Sequence, residues 1–172
     1  MAQPDGIVAQ LIARIDALEA EVRELKDIEA IRVLRASYHD LTNQGKIPEL
    51  WRLFADDAEI DYAHMGQAAG GAEIRQMFGG IKTAFAKQFS HGHMVEVSGD
   101  RGSGYSYFEA RLIHRGESYI VAGRFDDEYV RRDSRWLFKK VTATFYFMVP
   151  LQEGWAGEDR IKLRPRATPP SR

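Results

Sequence analysis

The chain has 172 residues, of which 44% are hydrophobic and 28% are charged, and these proportions are typical of one globular domain rather than a disordered chain. Its 24 basic and 25 acidic residues almost cancel, which argues against a nucleic-acid binder, because such proteins carry a concentrated basic face. Cysteine is absent, so disulfides, thiol nucleophiles and cysteine-ligated zinc are excluded. No apolar run approaches the ~20 residues of a membrane span and no signal-peptide pattern opens the chain, so we expect a soluble, cytoplasmic protein.

The first predicted element is an amphipathic helix with a heptad seam. Its apolar residues recur at alternating steps of four and three, and charged residues flank them. The seam consists of Leu11, Ile15, Leu18, Val22 and Leu25. Two interpretations fit this pattern: a dimerisation arm, which would make the protein a homodimer or a higher homo-oligomer, and a helix that lies on its own domain. Residues 1–26 are therefore set apart as an N-terminal helical arm.

Two more helices are predicted before the first strand, which makes three in all. Asp27 can cap a second helix, which would end near Asn43. Pro48 is typical of the first turn of a helix, and a short third helix is expected there. A short strand over 58–63 follows, and helical spacing then predicts one more helix over 72–87.

After these elements the period of the apolar residues changes to two, which predicts strands. The predicted strands span about 91–98, 103–114, 117–131 and 135–149. Helices followed by a meander of long strands indicate an α+β domain over residues 27–150. A curved antiparallel sheet wrapped around the helices would leave a cone-shaped pocket. Residues 151–172 are expected to form a tail that frays toward its end.

Several polar side chains are candidates for chemistry. Tyr38 and Tyr62 are expected on pocket-facing patterns, where a phenol can polarise an oxygen or move a proton, although a satisfied core tyrosine is the ordinary alternative. His91 and His93 are two residues apart, and on a regular strand that spacing puts both imidazoles on one side. Such a pair could also chelate a metal, but no carboxylate of matching pattern accompanies it, so we predict no metal site. His114, at a strand end, is expected on the surface.

The strands also predict apolar walls for the pocket. Alternation places the following side chains on inward faces: Ile60, Phe108, Ala110, Phe125, Ala143, Phe145 and Phe147. A site for a bulky apolar or aromatic ligand needs such walls. An ordinary core has the same pattern, so both interpretations stay open at this point.

Three parts of the chain resemble a known family. Residues 25–31 (LKDIEAI) and 50–59 (LWRLFADDAE), with Tyr38 between them, are similar to the start of a SnoaL-like domain of the nuclear transport factor 2-like superfamily. Residues 123–139 (GRFDDEYVRRDSRWLFK) resemble the penultimate hairpin of that family. The resemblance spans about residues 20–150. It is nearest to cofactor-free lyases: bile-acid dehydratase, scytalone dehydratase, hexachlorocyclohexane dehydrochlorinase and the lyases that deformylate lignin-derived dimers.

The resemblance implies catalytic roles for four residues. Tyr38 and Tyr62 correspond to pocket tyrosines of the dehydratases. His93 corresponds to the histidine that acts as the catalytic base in that family. His91 is the alternative base, because the loop that follows is shorter in this sequence.

Two positions depart from the family pattern. Asn43 stands where the family has a helix-end aspartate that orients the histidine, and Ala110 stands where a further dehydratase aspartate lies. An amide can hold an imidazole by a hydrogen bond, but it cannot stabilise an imidazolium by charge. The resemblance therefore implies a mechanism that uses histidine and tyrosine, with Asn43 as an orienting and substrate-binding residue.

The sequence leads to one main hypothesis and two alternatives. The main hypothesis is a cofactor-independent lyase that eliminates water, with or without carbon–carbon cleavage that releases formaldehyde, from a bulky hydroxylated aromatic compound such as a lignin-derived dimer. The alternatives are a non-catalytic ligand-binding or oxygenase accessory domain, and an isomerase or cyclase of polyketide or steroid type. The expected partners are a small hydrophobic or aromatic substrate and further copies of the chain, not nucleic acid or membrane.

Overall fold

The computed structural model describes residues 4–162 and begins with one long helix, α1, at Pro4–Asn43. The prediction of two helices that meet at Asp27 is wrong, because α1 runs through this position without a break. The Asp27 carboxylate instead accepts hydrogen bonds from Arg131 Nη1 at 2.7 Å and from Trp136 Nε1 at 2.9 Å. Residues 6–26 are exposed at every position, so the interpretation in which this segment lies on its own domain is also wrong.

The remaining elements follow the predicted order. A 3-10 helix at Ile47–Leu53 takes the place of the short third helix, and a 3-10 turn at Ala63–Met65 follows the first strand. Helix α2 spans Gly71–Gly80. The strands are β1 at Phe54–Asp61, β2 at Gln67–Ala69, β3 at Ala86–Ser98, β4 at Arg101–His114, β5 at Glu117–Arg132 and β6 at Arg135–Pro150.

Helix α2 is shorter than its apolar spacing predicts. It ends at Gly80 rather than at 87. Gly79 and Gly80 destabilise the helix at this end, because glycine loses the most backbone freedom on folding. Ala86 already pairs with Leu112 of β4. The residues that periodicity assigned to the end of the helix therefore begin strand β3.

The described strands form one sheet in the order β2-β1-β6-β5-β4-β3. The pairs β3–β4, β4–β5 and β5–β6 are antiparallel, as the predicted meander requires, whereas β1 joins β6 in parallel. The sheet is curved and unclosed, and the helices contact it on one side. The predicted α+β architecture is thus confirmed, with a core that includes Ile31 of α1, Phe78 of α2 and Phe138 of β6.

A bulge at Gly92 separates the two histidines of β3. Gly92 has a φ of +51°, in the left-handed region that favours glycine, and the pairing with β4 shifts there. His91 lies opposite Tyr107, whereas His93 lies opposite the next residue, Ser106. The two imidazoles consequently point to opposite faces of the sheet, and the prediction that they share one side is wrong.

A second irregularity changes the inward face of β6. The pairing of β6 with β5 shifts between Phe147 and Phe145, so the alternation changes phase at this point. Phe147 leaves the inner face and stacks on Trp155 with the ring centroids 5.0 Å apart, and Met148 is buried in its place. The prediction that Phe147 is a wall of the pocket is therefore wrong.

The end of the described chain returns to the sheet edge. Ile161 forms an isolated parallel bridge with Met148, and the backbone N–H of Met148 donates to Arg160 O at 2.7 Å. The fraying predicted for the end of the tail falls on residues 163–172, which lie outside the described residues. No helix within residues 4–162 is both long and apolar enough to cross a membrane.

Candidate active site

A cavity of about 320 Å³ lies between the helices and the inner face of the sheet. This volume falls at the lower end of the range of ~300–1,000 Å³ that small-molecule sites occupy. Its walls are mainly apolar, and four of the predicted wall residues line it: Phe108, Ala110, Phe125 and Phe145. Ile60 and Ala143, the other two inward-facing predictions, are buried in the surrounding core.

The cavity opens into a wider depression at the C-terminal end of α1. That depression measures about 640 Å³ and shares six lining residues with the cavity: Thr42, Ile47, Ile81, Lys82, Thr83 and Ala86. Its further lining includes Asn43, Ala84 and Phe85, and it includes none of the four wall residues named above. It therefore forms an approach to the cavity, and the aromatic interior is where a ligand would be enclosed.

Two tyrosine hydroxyls meet inside this cavity. Tyr38 comes from α1 and Tyr62 from the turn after β1, and their Oη atoms lie 2.7 Å apart. Burial raises the pKa of Tyr38 and raises that of Tyr62 well above its ordinary value, so both phenols keep their protons at neutral pH. Because one phenol donates to the other, one hydroxyl proton remains for a ligand oxygen.

The next polar group on the cavity wall is Gln88 of β3, which sequence reasoning did not single out. His39 of α1 lies behind it, with Nδ1 3.1 Å from Gln88 Oε1. Burial and the nearby charge of Arg35 lower the pKa of His39 to about 3, so the imidazole is neutral and its Nδ1–H donates to the amide oxygen. That arrangement leaves the amide NH₂ of Gln88 as the group that can donate into the cavity.

Asn43 holds the backbone of Gln88 rather than a histidine ring. Its Nδ2 donates to Gln88 O at 2.9 Å, and Gln88 N donates to Asn43 Oδ1 at 2.6 Å. Both ends of the amide are thus committed to the main chain of β3. Asn43 therefore orients Gln88 as its neighbour, and its side chain makes no hydrogen bond to a histidine ring among the described residues.

The two histidines predicted as the base lie away from the cavity. His91 is exposed on the outer face of β3, and neither it nor His93 contributes to the cavity lining. His93 Nε2 lies 3.0 Å from the hydroxyl of Tyr129. Burial, together with the charges of Arg35 and Arg32, lowers the pKa of His93 to about 4. Its ring is therefore neutral at neutral pH.

A buried ion pair lies beyond His93. Tyr129 donates to Asp127 Oδ2 at 2.7 Å, and Arg35 Nε reaches the same oxygen at 3.2 Å. Burial opposes the charge on Arg35, but the Asp127 carboxylate outweighs it and raises the pKa of that guanidinium. Burial also raises the pKa of Asp127, against the pull of Arg35 and of the Tyr129 hydroxyl. We assign the ionised carboxylate form to Asp127 for two reasons. The guanidinium of Arg35 stays charged, and both Arg35 and Tyr129 donate hydrogen bonds to the Asp127 oxygens.

This ion pair supports the cavity from beneath. The guanidinium carbon of Arg35 lies 5.0 Å from the ring centroid of Tyr38 and 4.5 Å from that of Phe125. Both rings line the cavity. The charged network therefore fixes the positions of two wall residues through cation–π contacts without entering the ligand space.

His114 is the histidine that the structure does bring to the cavity. It stands at the end of β4, it is half-buried, and its ring meets the edge of Tyr119 at 5.7 Å between centroids. The prediction that it is a surface residue is wrong, because the strand phase at Phe108 and Ala110 carries it to the inner face. Within residues 4–162, no group of three or more histidine, aspartate or glutamate side chains is arranged to hold a metal ion.

An open cone of helices and curved sheet around one aromatic cavity defines a class of small-molecule-binding α+β folds. Within that class, the chain belongs to the SnoaL-like domain family, which matches residues 23–142. Three solved structures illustrate the likeness, and all are below 25% identity, at which the likeness establishes the fold alone.

A candidate scytalone dehydratase of Novosphingobium aromaticivorans is 19% identical, with a TM-score of 0.68 over 84% of this chain and 97% of the other. A type 2 hexachlorocyclohexane dehydrochlorinase is 20% identical, with a TM-score of 0.70 over 86% of this chain and 99% of the other. A candidate aromatic ring hydroxylase of Novosphingobium aromaticivorans is 22% identical, with a TM-score of 0.67 over 75% of this chain and 96% of the other.

Proposed function

We propose that the protein is a cofactor-independent lyase that eliminates water from a bulky hydroxylated aromatic compound. The observation that carries this proposal is the Tyr38–Tyr62 hydroxyl pair, buried at 2.7 Å inside a cavity with aromatic walls. Aromatic walls favour a flat apolar ligand, and paired phenols favour an oxygen on that ligand. Two of the solved structures with this fold bear the names of eliminating enzymes, a dehydratase and a dehydrochlorinase, which supports the same reaction class.

In the proposed step, the tyrosine pair holds the hydroxyl that leaves. The substrate C–O bond breaks, and the free phenolic proton moves to the departing oxygen as water forms. The proton on the adjacent carbon passes to His114, and the electrons of that C–H bond become the new double bond. Return of the proton from His114 through water restores the phenol, so the enzyme ends unchanged.

The finer form of the proposal concerns phenolic substrates. When the leaving hydroxyl is benzylic, a phenol para to that benzylic carbon supplies electrons as the C–O bond breaks, and a quinone methide forms. The protein then has less positive charge on the benzylic carbon to stabilise. A lignin-derived dimer with a neighbouring hydroxymethyl group could then lose formaldehyde in place of a proton. In that case the carbon–carbon bond breaks, its electrons form the double bond, and the base takes the proton of the hydroxymethyl O–H.

A second candidate function is a non-catalytic ligand-binding or oxygenase accessory domain. One observation favours it: the β3 position on the cavity wall carries the amide of Gln88, whereas His91 and His93 lie outside the cavity. An amide binds an oxygen but does not take a proton at neutral pH. An isomerase or cyclase remains a variant of the first proposal, in which the same groups move a proton and nothing leaves.

The test is turnover against phenolic diols, hydroxysteroids and polyketide-like aromatics. Ultraviolet absorbance follows new conjugation, and a formaldehyde assay runs beside it. Conjugation without formaldehyde supports a dehydratase, and conjugation with formaldehyde supports the carbon–carbon lyase. Tight binding without turnover would overturn the lyase in favour of the accessory domain.

Single variants assign the roles. We expect Tyr62→Phe to lower kcat by about 10²-fold, because it removes a hydroxyl that acts on the leaving oxygen. Tyr107→Phe is the matched control, since Tyr107 is exposed on the outer face, and it should keep full activity. His114→Gln and His93→Gln then distinguish the two possible bases: loss of kcat in the first supports His114, and loss in the second alone would return the role to His93.

A further inference from the structure

The arm of α1, residues 6–26, carries a continuous apolar stripe, and no other part of the chain within residues 4–162 covers it. Its large apolar side chains are each between 46% and 65% exposed: Ile7, Val8, Leu11, Ile12, Ile15, Leu18, Val22 and Leu25. A helix of this length gains most of its stability from packing of its apolar face, not from intrinsic propensity. The stripe therefore requires a partner surface.

The stripe points away from the domain to which the arm is attached. At 3.6 residues per turn, its centre lies roughly half a turn around α1 from the face that Ile31 and Tyr38 bury against the sheet. Glu29 and Arg32, which continue the heptad positions of the stripe, are exposed. The stripe thus ends where the helix meets its own domain, and a second helix can lie along it without displacing the sheet.

The choice of residues within the heptads points to a specific partner geometry. Positions a are β-branched, namely Val8, Ile15 and Val22, and positions d are leucine, namely Leu11, Leu18 and Leu25. β-Branched residues at a with leucine at d favour a parallel two-stranded coiled coil. A partner helix with the same two residue types in the same order would match each layer.

The flanking charges agree with this geometry when the partner is a second copy. In a parallel pair, each g residue faces the e residue of the next heptad on the other chain. Arg14 at g would face Glu19 at e, and Glu21 at g would face Lys26 at e, so both contacts join opposite charges. The first heptad has apolar side chains at these positions, Ile7 and Ile12, which widen the stripe there.

We infer that the arm pairs with the arm of a second copy in a parallel, in-register coiled coil, which holds two domains side by side at its C-terminal end. An antiparallel pair would bring g residues against g and e residues against e. Depending on the register, Arg14 would then face either Arg14 or Glu21 of the other chain. In the parallel pair, every charged residue of the arm at positions e and g faces a residue of opposite charge. The inference concerns assembly and is independent of the proposed reaction.

Engineered cysteines test the direction of pairing, because the chain has no cysteine of its own. Leu25→Cys at position d should form a disulfide with its own copy under mild oxidation. Ala20→Cys is the matched control, since position f faces away from the seam, and it should remain reduced. Cross-linking that needs a mixture of Val8→Cys and Leu25→Cys chains would overturn the parallel register, and equal cross-linking at Ala20 would overturn the seam.

Substitutions in the arm test whether the partner is a second copy, and they leave the cavity residues unchanged. Sedimentation should give twice the chain mass of 19.6 kDa for the unmodified protein and the single mass for Leu18→Glu. Arg14→Glu and Glu19→Lys, each alone, should raise the dimer dissociation constant at least tenfold, because each places like charges at both Arg14–Glu19 contacts of the symmetric dimer. An equimolar mixture of these two variants should form the mixed dimer in preference, since both contacts are then opposite in charge. A monomer at 100 µM in the unmodified protein, roughly a hundred times a micromolar Kd, would overturn the inference.

Discussion

His39 is a buried histidine whose neutral state in the folded protein makes stability depend on pH. Its side chain lies under the cavity wall, 6% of the residue is exposed, and Nε2 has no hydrogen-bond partner among the described residues. Burial comes first among the causes that lower its pKa to about 3, and the charge of Arg35 adds to it. Acidification from pH 7 to pH 5 should therefore destabilise the folded protein through this residue.

The sign and size of the effect follow from proton binding. The unfolded chain protonates this histidine below about pH 6.5, whereas the folded chain does not until about pH 3. The unfolded state therefore binds more protons between these values, so the stability that neutral His39 contributes is present above pH 6.5 and is lost progressively as the pH falls. Between pH 7 and pH 5, this histidine alone should lower the free energy of unfolding by about 2 kcal/mol.

Urea unfolding of the unmodified protein and of His39→Gln at pH 7, 6 and 5 measures this contribution. We expect the unmodified protein to lose about 2 kcal/mol more than the variant on acidification, because glutamine does not titrate. The lowered pKa of His93 affects both chains equally and cancels in the difference. His91→Gln replaces an exposed histidine of β3 and is the matched control, so it should behave as the unmodified protein. Equal pH dependence in the unmodified protein and His39→Gln would refute the assignment of a buried neutral imidazole.

Three further predictions concern the walls and floor of the cavity. Asp127→Asn should lower the free energy of unfolding, measured in urea, by about 3–5 kcal/mol, because it leaves the Arg35 charge buried without a partner. The double variant Arg35→Met with Asp127→Leu should lose less free energy of unfolding than Asp127→Asn, because no buried charge is left. Gly123→Ala should cost about 1–3 kcal/mol in thermal or urea unfolding, because its new methyl group would meet Thr144 O and would lie 2.8 Å from the ring of Phe108. Ala110→Phe should fill part of the cavity and weaken binding of an aromatic ligand at least tenfold, about 1.4 kcal/mol by titration calorimetry, while the fold persists; unchanged affinity would contradict the position of the ligand.

Local patterns predicted the elements well wherever a single physical rule dominated. The four strands of the meander follow from apolar alternation, and their inward faces at Phe108, Ala110 and Phe125 line the cavity as predicted. The phase of that alternation failed at Gly92 and again before Phe147. A bulge adds one residue to one strand, and nothing in the residue types alone fixes where the neighbouring strand absorbs it.

The helix boundary at Asp27 failed for a related reason. A capping side chain contributes only about 1 kcal/mol, so distant partners readily override it. Here Arg131 and Trp136, more than a hundred residues further along the chain, take the carboxylate instead.

Local patterns were enough to establish the α+β class and the heptad seam of the arm, because both depend on periodicities and residue types at neighbouring positions. The structure then showed that the arm is exposed and that the aromatic side chains line a cavity. Tertiary structure alone decided which polar groups meet. Tyr38 and Tyr62 share a hydrogen bond across the chain, His39 stands behind Gln88, and 92 residues separate the partners of the buried ion pair. Such contacts depend on strand register and helix rotation. A shift of one residue in a strand would send its side chains to the opposite face, and the same shift in a helix would turn them by about 100°, so the chemistry of the cavity would change.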